Sequence, residues 1–140
     1  NKKVKIKKFG YFDLKTFKNK LDGSEHYTIS KGKFTSNKAS RVRVISTNVL
    51  NNFYNLNNDN FINSLKYLNK FNSFALILIK GKNLNQAVSE NSKILRYYGI
   101  GAQIIKELKL RKMILVSRSI KRVIALDGYG IKITKQEIMK

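Results

Sequence analysis

The residues able to do chemistry in this chain are few. Its 140 residues include one histidine and no cysteine, so it has no thiolate nucleophile, no disulfide frame and no cysteine-ligated zinc, and one imidazole cannot replace a ligand cluster. Most metalloenzyme and cysteine-enzyme chemistry is excluded on residue types alone. What remains is glycine and cation. Tyr98-Gly99-Ile100-Gly101-Ala102 and, further on, Leu126-Asp127-Gly128-Tyr129-Gly130-Ile131 supply glycines that let a tight loop bring backbone amides to an anion at a helix N-terminus. An ordinary turn has the same composition, so this signal is weak by itself. His26, alone beside a turn, reads as a packing or hydrogen-bonding residue. Near the N-terminus Lys5, Lys7 and Lys8 interleave with Phe9, Tyr11 and Phe12. That mixture suits stacking on a nucleic acid, and it equally suits a strand edge kept from aggregating by charge.

The elements that must position these residues can be read from periodicity. Residues 1–9 alternate Val4 and Ile6 with lysines, a short one-sided strand, and Phe9 to Phe17 continues as strand. Asp22-Gly23 is a strong hairpin turn signal, returning as the strand Glu25–Ser30. A third strand, Arg41–Ser46, follows a polar loop, and the opening third reads as an antiparallel sheet. Residues 47–60 hold eight asparagines or aspartates and read as a long loop. Asn60 to Phe71 has helical spacing, with Phe61, Ile62, Leu65 and Leu68 on one face. Phe74–Ile79 is apolar on both faces, as a strand covered on both sides must be. Ser92–Leu108 reads as a helix interrupted by Gly99 and Gly101, Met113–Val116 as a buried strand, Ile120–Leu126 as a short helix and Ile131–Thr134 as a last strand. The class expected is α/β, more fully an α+β mixed sheet: antiparallel hairpin strands, then strand–helix alternation.

Size and charge bound the partners. The chain has room for one domain and one core. Its longest apolar run, Phe74–Ile79, falls far short of the roughly 20 residues needed to cross a bilayer, so no membrane insertion is expected. Lysine and arginine total 29 against 8 acids, a formal charge of +21. With 23 Lys, 6 Arg, 16 Asn, 16 Ile and no Pro, AT-rich codons explain part of that excess. They do not explain the scarcity of Asp and Glu, whose codons tolerate the same drift. The charge is concentrated at both ends, +7 over residues 1–20 and +10 over residues 80–140, around a nearly neutral middle. Such a surface would suit RNA.

Word order adds a resemblance. Tyr98-Gly99-Ile100-Gly101-Ala102-Gln103-Ile104-Ile105-Lys106-Glu107-Leu108 and Leu126-Asp127-Gly128-Tyr129-Gly130-Ile131 resemble the C-terminal region of GTP cyclohydrolase II, a family that opens the imidazole ring of GTP at the start of riboflavin synthesis with a zinc held by three cysteines. Gly23-Ser24-Glu25-His26 is similar to its Gly-x-Glu-His segment, and Val42-Arg43-Val44-Ile45-Ser46-Thr47 to its Val-Arg-Val-His-Ser-Glu strand. The resemblance implies one domain over residues 1–140: antiparallel strands in 1–46, a truncated and divergent middle in 47–90, and the best-matching part in 91–140.

The family's chemistry does not follow the resemblance. Thr47-Asn48 stand where the family has Glu-Cys, and its Arg-Cys-Asp-Cys-Gly segment is missing. Lys80-Gly81-Lys82-Asn83 is all that remains of its Gln-Glu-Gly-Arg-Gly-Ile-Gly loop. Ile94 takes the place of its catalytic Asp, and isoleucine neither accepts a proton nor orients water. The resemblance places Arg43, Arg96, Ser117, Lys121, Arg122, Lys80 and Lys82 as remnants of a nucleotide or anion site, because guanidinium forks hold phosphate oxygens in pairs. Lys5, Lys7, Lys8 and Arg118 are the candidates for contact with nucleic acid. The expectation is a pseudoenzyme without metal or cofactor, structural or regulatory, in a reducing compartment (cytoplasm or organellar matrix). Its expected partner is a second copy or a fused or associated dihydroxybutanone phosphate synthase domain, with a basic RNA-binding or ribonucleoprotein component as the other reading.

Overall fold

Phe74-Ala75-Leu76-Ile77-Leu78-Ile79 offers water no polar face, and in a computed structural model of the chain it occupies the middle of a seven-stranded sheet. The structure describes residues 2–6, 9–18, 23–35, 37–47, 59–80, 100–118 and 130–139. The strands are β1 (Lys2–Ile6), β2 (Gly10–Lys18), β3 (Glu25–Lys31), β4 (Ser40–Thr47), β5 (Phe74–Lys80), β6 (Lys112–Ser117) and β7 (Lys132–Ile138), in the order β1-β2-β3-β5-β4-β6-β7. Two helices are described: α1 (Asp59–Leu68) and α2, helical over residues 100–107. The result is the α+β mixed sheet expected.

Period-2 alternation sends successive β5 side chains to opposite faces. Phe74, Leu76 and Leu78 join Phe12, Leu14, Ile29, Ile45 and Val116 under Phe61, Leu65 and Leu68 of α1. Ala75, Ile77 and Ile79 join Val42, Met113 and Leu115 under Ala102, Ile104 and Ile105 of α2. The helical spacing read for α1 is therefore its buried stripe. The chain leaves α2 through Lys109 at φ 64°. Leu110 N donates to Ile105 O at 3.2 Å and Lys109 N to Lys106 O at 3.0 Å, the paired bonds of a Schellman end, and Leu110 is buried beyond it.

Three readings need correction. Residues 1–17 are not one run of strand: β1 folds back on β2 as an antiparallel hairpin, Ile6 pairing with Gly10, whose φ is +104°. β4 does not belong to the antiparallel part. It pairs in parallel with β5 and with β6, because the segment carrying α1 supplies the crossover a parallel pair needs. The last strand runs on to Ile138 and is parallel to β6. The short helix read at Ile120–Leu126 and the first part of the helix read from Ser92 lie outside the described residues. Among those described, no helix is long and apolar enough to cross a membrane.

Candidate functional site

Odd-numbered residues of β4 face α1, and that parity places Arg43 in the interior. It is 5% exposed; its Nε donates to Ser64 Oγ of α1 at 2.6 Å and its Nη1 to the Val116 carbonyl at 3.5 Å. Burial, and secondarily the charge of Arg118, hold its pKa below the ordinary guanidinium value. Ser117 ends β6 buried, and its carbonyl accepts the Met139 amide at 2.8 Å. Arg118 follows on the surface. Arg118 thus shares the face of Arg43 near the carboxyl ends of two parallel strands, the usual place for ligands in such sheets, whereas Ser117, next to Val116 and in step with Met113 and Leu115, stands on the α2 face. Lys80 closes β5 at the same edge, its backbone level with Thr47.

The other predicted residues do not join this group. Lys5 stands on β1, at the far edge of the sheet and on the α2 face, its ammonium 5.8 Å from the Tyr11 ring centroid. Lys7, Lys8, Lys82, Arg96, Lys121 and Arg122 lie outside the described residues. His26 is buried at 2% exposure on the face opposite Arg43, with Ser24 Oγ 2.9 Å from its Nε2. A cavity of about 90 Å³ lies beside it, lined in part by Phe17, Gln103 and Glu107.

A second constellation has no counterpart in the sequence reading. Arg41 forks onto Glu137, Nε to Oε1 at 3.0 Å and Nη2 to Oε2 at 3.2 Å. Tyr67 of α1 donates its hydroxyl to the same carboxylate, and the Arg41 guanidinium lies 3.5 Å from the Phe71 ring centroid. One carboxylate therefore ties β4, β7 and the end of α1 together. Arg41, then Tyr67, hold the Glu137 pKa below the usual carboxylate value, while burial and the bond to Glu137 push Tyr67 up to about 12. The phenol is a donor at neutral pH.

A lowered native pKa means that the Glu137 contribution is fully present above the unfolded-state value near 4.3 and is lost as pH falls through the native value. Glu137→Gln should cost about 1–3 kcal/mol at pH 7, as loss of a charge-assisted hydrogen-bonded pair does. The gap between variant and parent, measured by urea unfolding, should close below about pH 4. A gap of the same size at pH 3 and pH 7 would refute this linkage.

The residues present do not fit the zinc of the family resembled. The sequence has no cysteine, the described residues contain no group of three His, Cys, Asp or Glu able to hold a metal, and His26 looks away from the β4–β6 edge.

Comparison with known proteins agrees with the fold and its word order. A sequence profile of the family "GTP cyclohydrolase II" matches residues 60–137. The chain is 25% identical over 159 residues to the riboflavin biosynthesis protein RibBA of Aquifex aeolicus, covering 94% of this chain and 39% of that protein. It is 24% identical over 142 residues to 3,4-dihydroxy-2-butanone 4-phosphate synthase of Photobacterium phosphoreum, covering 91% and 39%. Among solved structures, RibBX, a two domain 3,4-dihydroxy-2-butanone 4-phosphate synthase from A. baumannii, superposes with a TM-score of 0.65 at 23% identity, over 98% of this chain and 38% of that one. The chain thus spans about two fifths of the length of these relatives.

Proposed function

The chain belongs to the GTP cyclohydrolase II family, and from that premise we propose that it is a catalytically inactive form of that domain, structural or regulatory in riboflavin biosynthesis. It acts beside a 3,4-dihydroxy-2-butanone 4-phosphate synthase domain, fused or associated. The observation that carries this reading is the loss of every thiolate from a chain that keeps the family's fold: 140 residues hold no cysteine.

The inward-turned Arg43 supports the same reading. Its guanidinium donates to Ser64 and to the Val116 carbonyl, so it braces α1 against β6. The core supports it too, because the apolar residues of both faces of the family's sheet are in place. Zinc would supply an activated water and polarisation of the substrate in an intact family member, and no step is available to it here.

Elemental analysis of the purified chain should find no stoichiometric zinc, and incubation with GTP should release no formate. A chelator should leave the thermal midpoint unchanged, because a structural zinc site would contribute folding energy outright. One tightly held zinc per chain, or formate released at a rate proportional to protein, would overturn the reading. Co-purification with a dihydroxybutanone phosphate synthase, and a change in that enzyme's stability or activity on mixing, would support the role.

A further inference from the structure

An open groove of about 680 Å³ runs between α1 and the ends of β6 and β7, lined by Asn63, Lys66, Tyr67, Lys70, Arg118 and Met139. Lys66 and Lys70 stand four residues apart on the exposed side of α1's final turn and its exit. Lys70 lies two residues past the end of α1, and both ammonium-bearing side chains line the same groove. Arg118 lines the groove with them. Among the described residues no carboxylate pairs with any of the three, and Glu137 is held by Arg41 and Tyr67. Below lies the buried charge of Arg43, which the Arg118 charge opposes. Cations gathered without a counter-charge raise the energy of the fold, and a bound polyanion lowers it.

The lining also says which anion. Small-molecule sites are enclosed and mostly apolar, with a few polar groups that fix orientation. This groove is open, and beyond three cations it offers one amide, one ring and one thioether. Such a surface can follow a backbone and has little with which to read a base. We propose that the groove between α1 and the β6–β7 end holds successive phosphates of a single-stranded RNA, bound through Lys66, Lys70 and Arg118 without sequence preference.

Neutralising one phosphate of a single strand changes the slope of log affinity against log salt by about 0.7. Binding of a short mixed-sequence RNA to the full chain, followed by fluorescence anisotropy across a salt series, should therefore show a slope about 2 units shallower for Lys66→Gln/Lys70→Gln/Arg118→Gln. The control Lys3→Gln/Lys5→Gln/Lys15→Gln removes the same charge from the β1–β2 hairpin and should keep the parent slope. Thermal unfolding of both variants should match the parent, since all six side chains lie at the surface or only partly buried.

Equal loss of slope in both variants would overturn the site and leave only a net-charge effect. Displacement of the RNA by inorganic triphosphate at equal phosphate concentration would overturn it in favour of a small phosphate ligand. Affinity no tighter than millimolar at physiological salt would overturn RNA binding altogether. Any of these results in a zinc-free, inactive chain would leave the proposed function standing.

Discussion

Ile77→Ala should lower the unfolding free energy by about 2–5 kcal/mol, the range for emptying a buried branched side chain. Ile77 is wholly buried, between Thr28 of β3 and Val44 of β4 in neighbouring registers and facing the helix side that holds Ala102, Ile104 and Ile105. Both flanking strands are held by their own ladders, so the walls cannot close over the missing atoms, and the cost belongs in the upper part of the range. One neighbour modifies this. Thr28 Oγ1 is buried and finds no hydrogen-bond partner among the described residues. Thr28→Val alone should be neutral or stabilising by about 1 kcal/mol, because an unsatisfied hydroxyl is removed. With the valine in place, Ile77→Ala should cost more, because space beside a free hydroxyl admits water and space beside a methyl stays dry. Urea unfolding of the four proteins in this cycle measures the coupling. A variant Ile77→Ala within about 0.5 kcal/mol of the parent, the scatter of surface substitutions, would mean that β5 is not the covered central strand.

That strand was legible because nothing in Phe74–Ile79 can face water, and α1 because Phe61, Leu65 and Leu68 recur at helical spacing. The hairpin at Gly10 was not. Val4 and Ile6 before the turn and Phe12 and Leu14 after it all fall on even numbers, so the alternation runs through the reversal and reads as one strand. The direction of β4 was hidden for a different reason: Val42, Arg43, Val44 and Ile45 alternate in the same way whether the neighbouring strand runs parallel or antiparallel. For the site, word order picked out Arg43 and Ser117 as remnants of one anion site, but alternation along β6, with Val116 facing α1 and Leu115 facing α2, sets Ser117 on the face opposite Arg43. Physical reading alone had no means of turning Arg43 inward. It also had no reason to join Arg41 with Glu137, 96 residues apart, or to select Lys66 and Lys70 from 23 lysines. Those pairings depend on which face each strand presents at its far end, and in β7 that depends on a single extra residue.

Inserting one residue between Lys135 and Gln136 should be among the most damaging single changes, at about 4 kcal/mol or more, because it reverses the face of everything after it. Ile133 pairs with Met113 and Lys135 with Ile114, so Thr134 is the extra residue of a bulge. Its hydroxyl donates to the Met113 carbonyl at 3.3 Å, holding the kink. Before the bulge, odd positions of this segment face α2, as Ile131 and Ile133 do; after it, Glu137 and Met139 face α1. In a regular strand Glu137 would stand on the opposite face from Arg41 and Tyr67, and Met139 would leave the core. An inserted residue has that effect, and it forfeits three charge-assisted hydrogen bonds, about 1.5–3 kcal/mol each, and one buried methionine, about 1.5–3 kcal/mol, with partial recovery from new contacts. Thr134→Val keeps the residue count and removes only the hydroxyl bond, so it should cost about 1 kcal/mol. The insertion should also abolish the separate acid-side loss of stability that Glu137 contributes, while Thr134→Val should keep it. If the two variants unfold alike and both retain the Glu137-dependent acid limb, then β7 keeps its register despite the insertion, and the carboxylate that joins three elements is placed by the strand's end contacts instead.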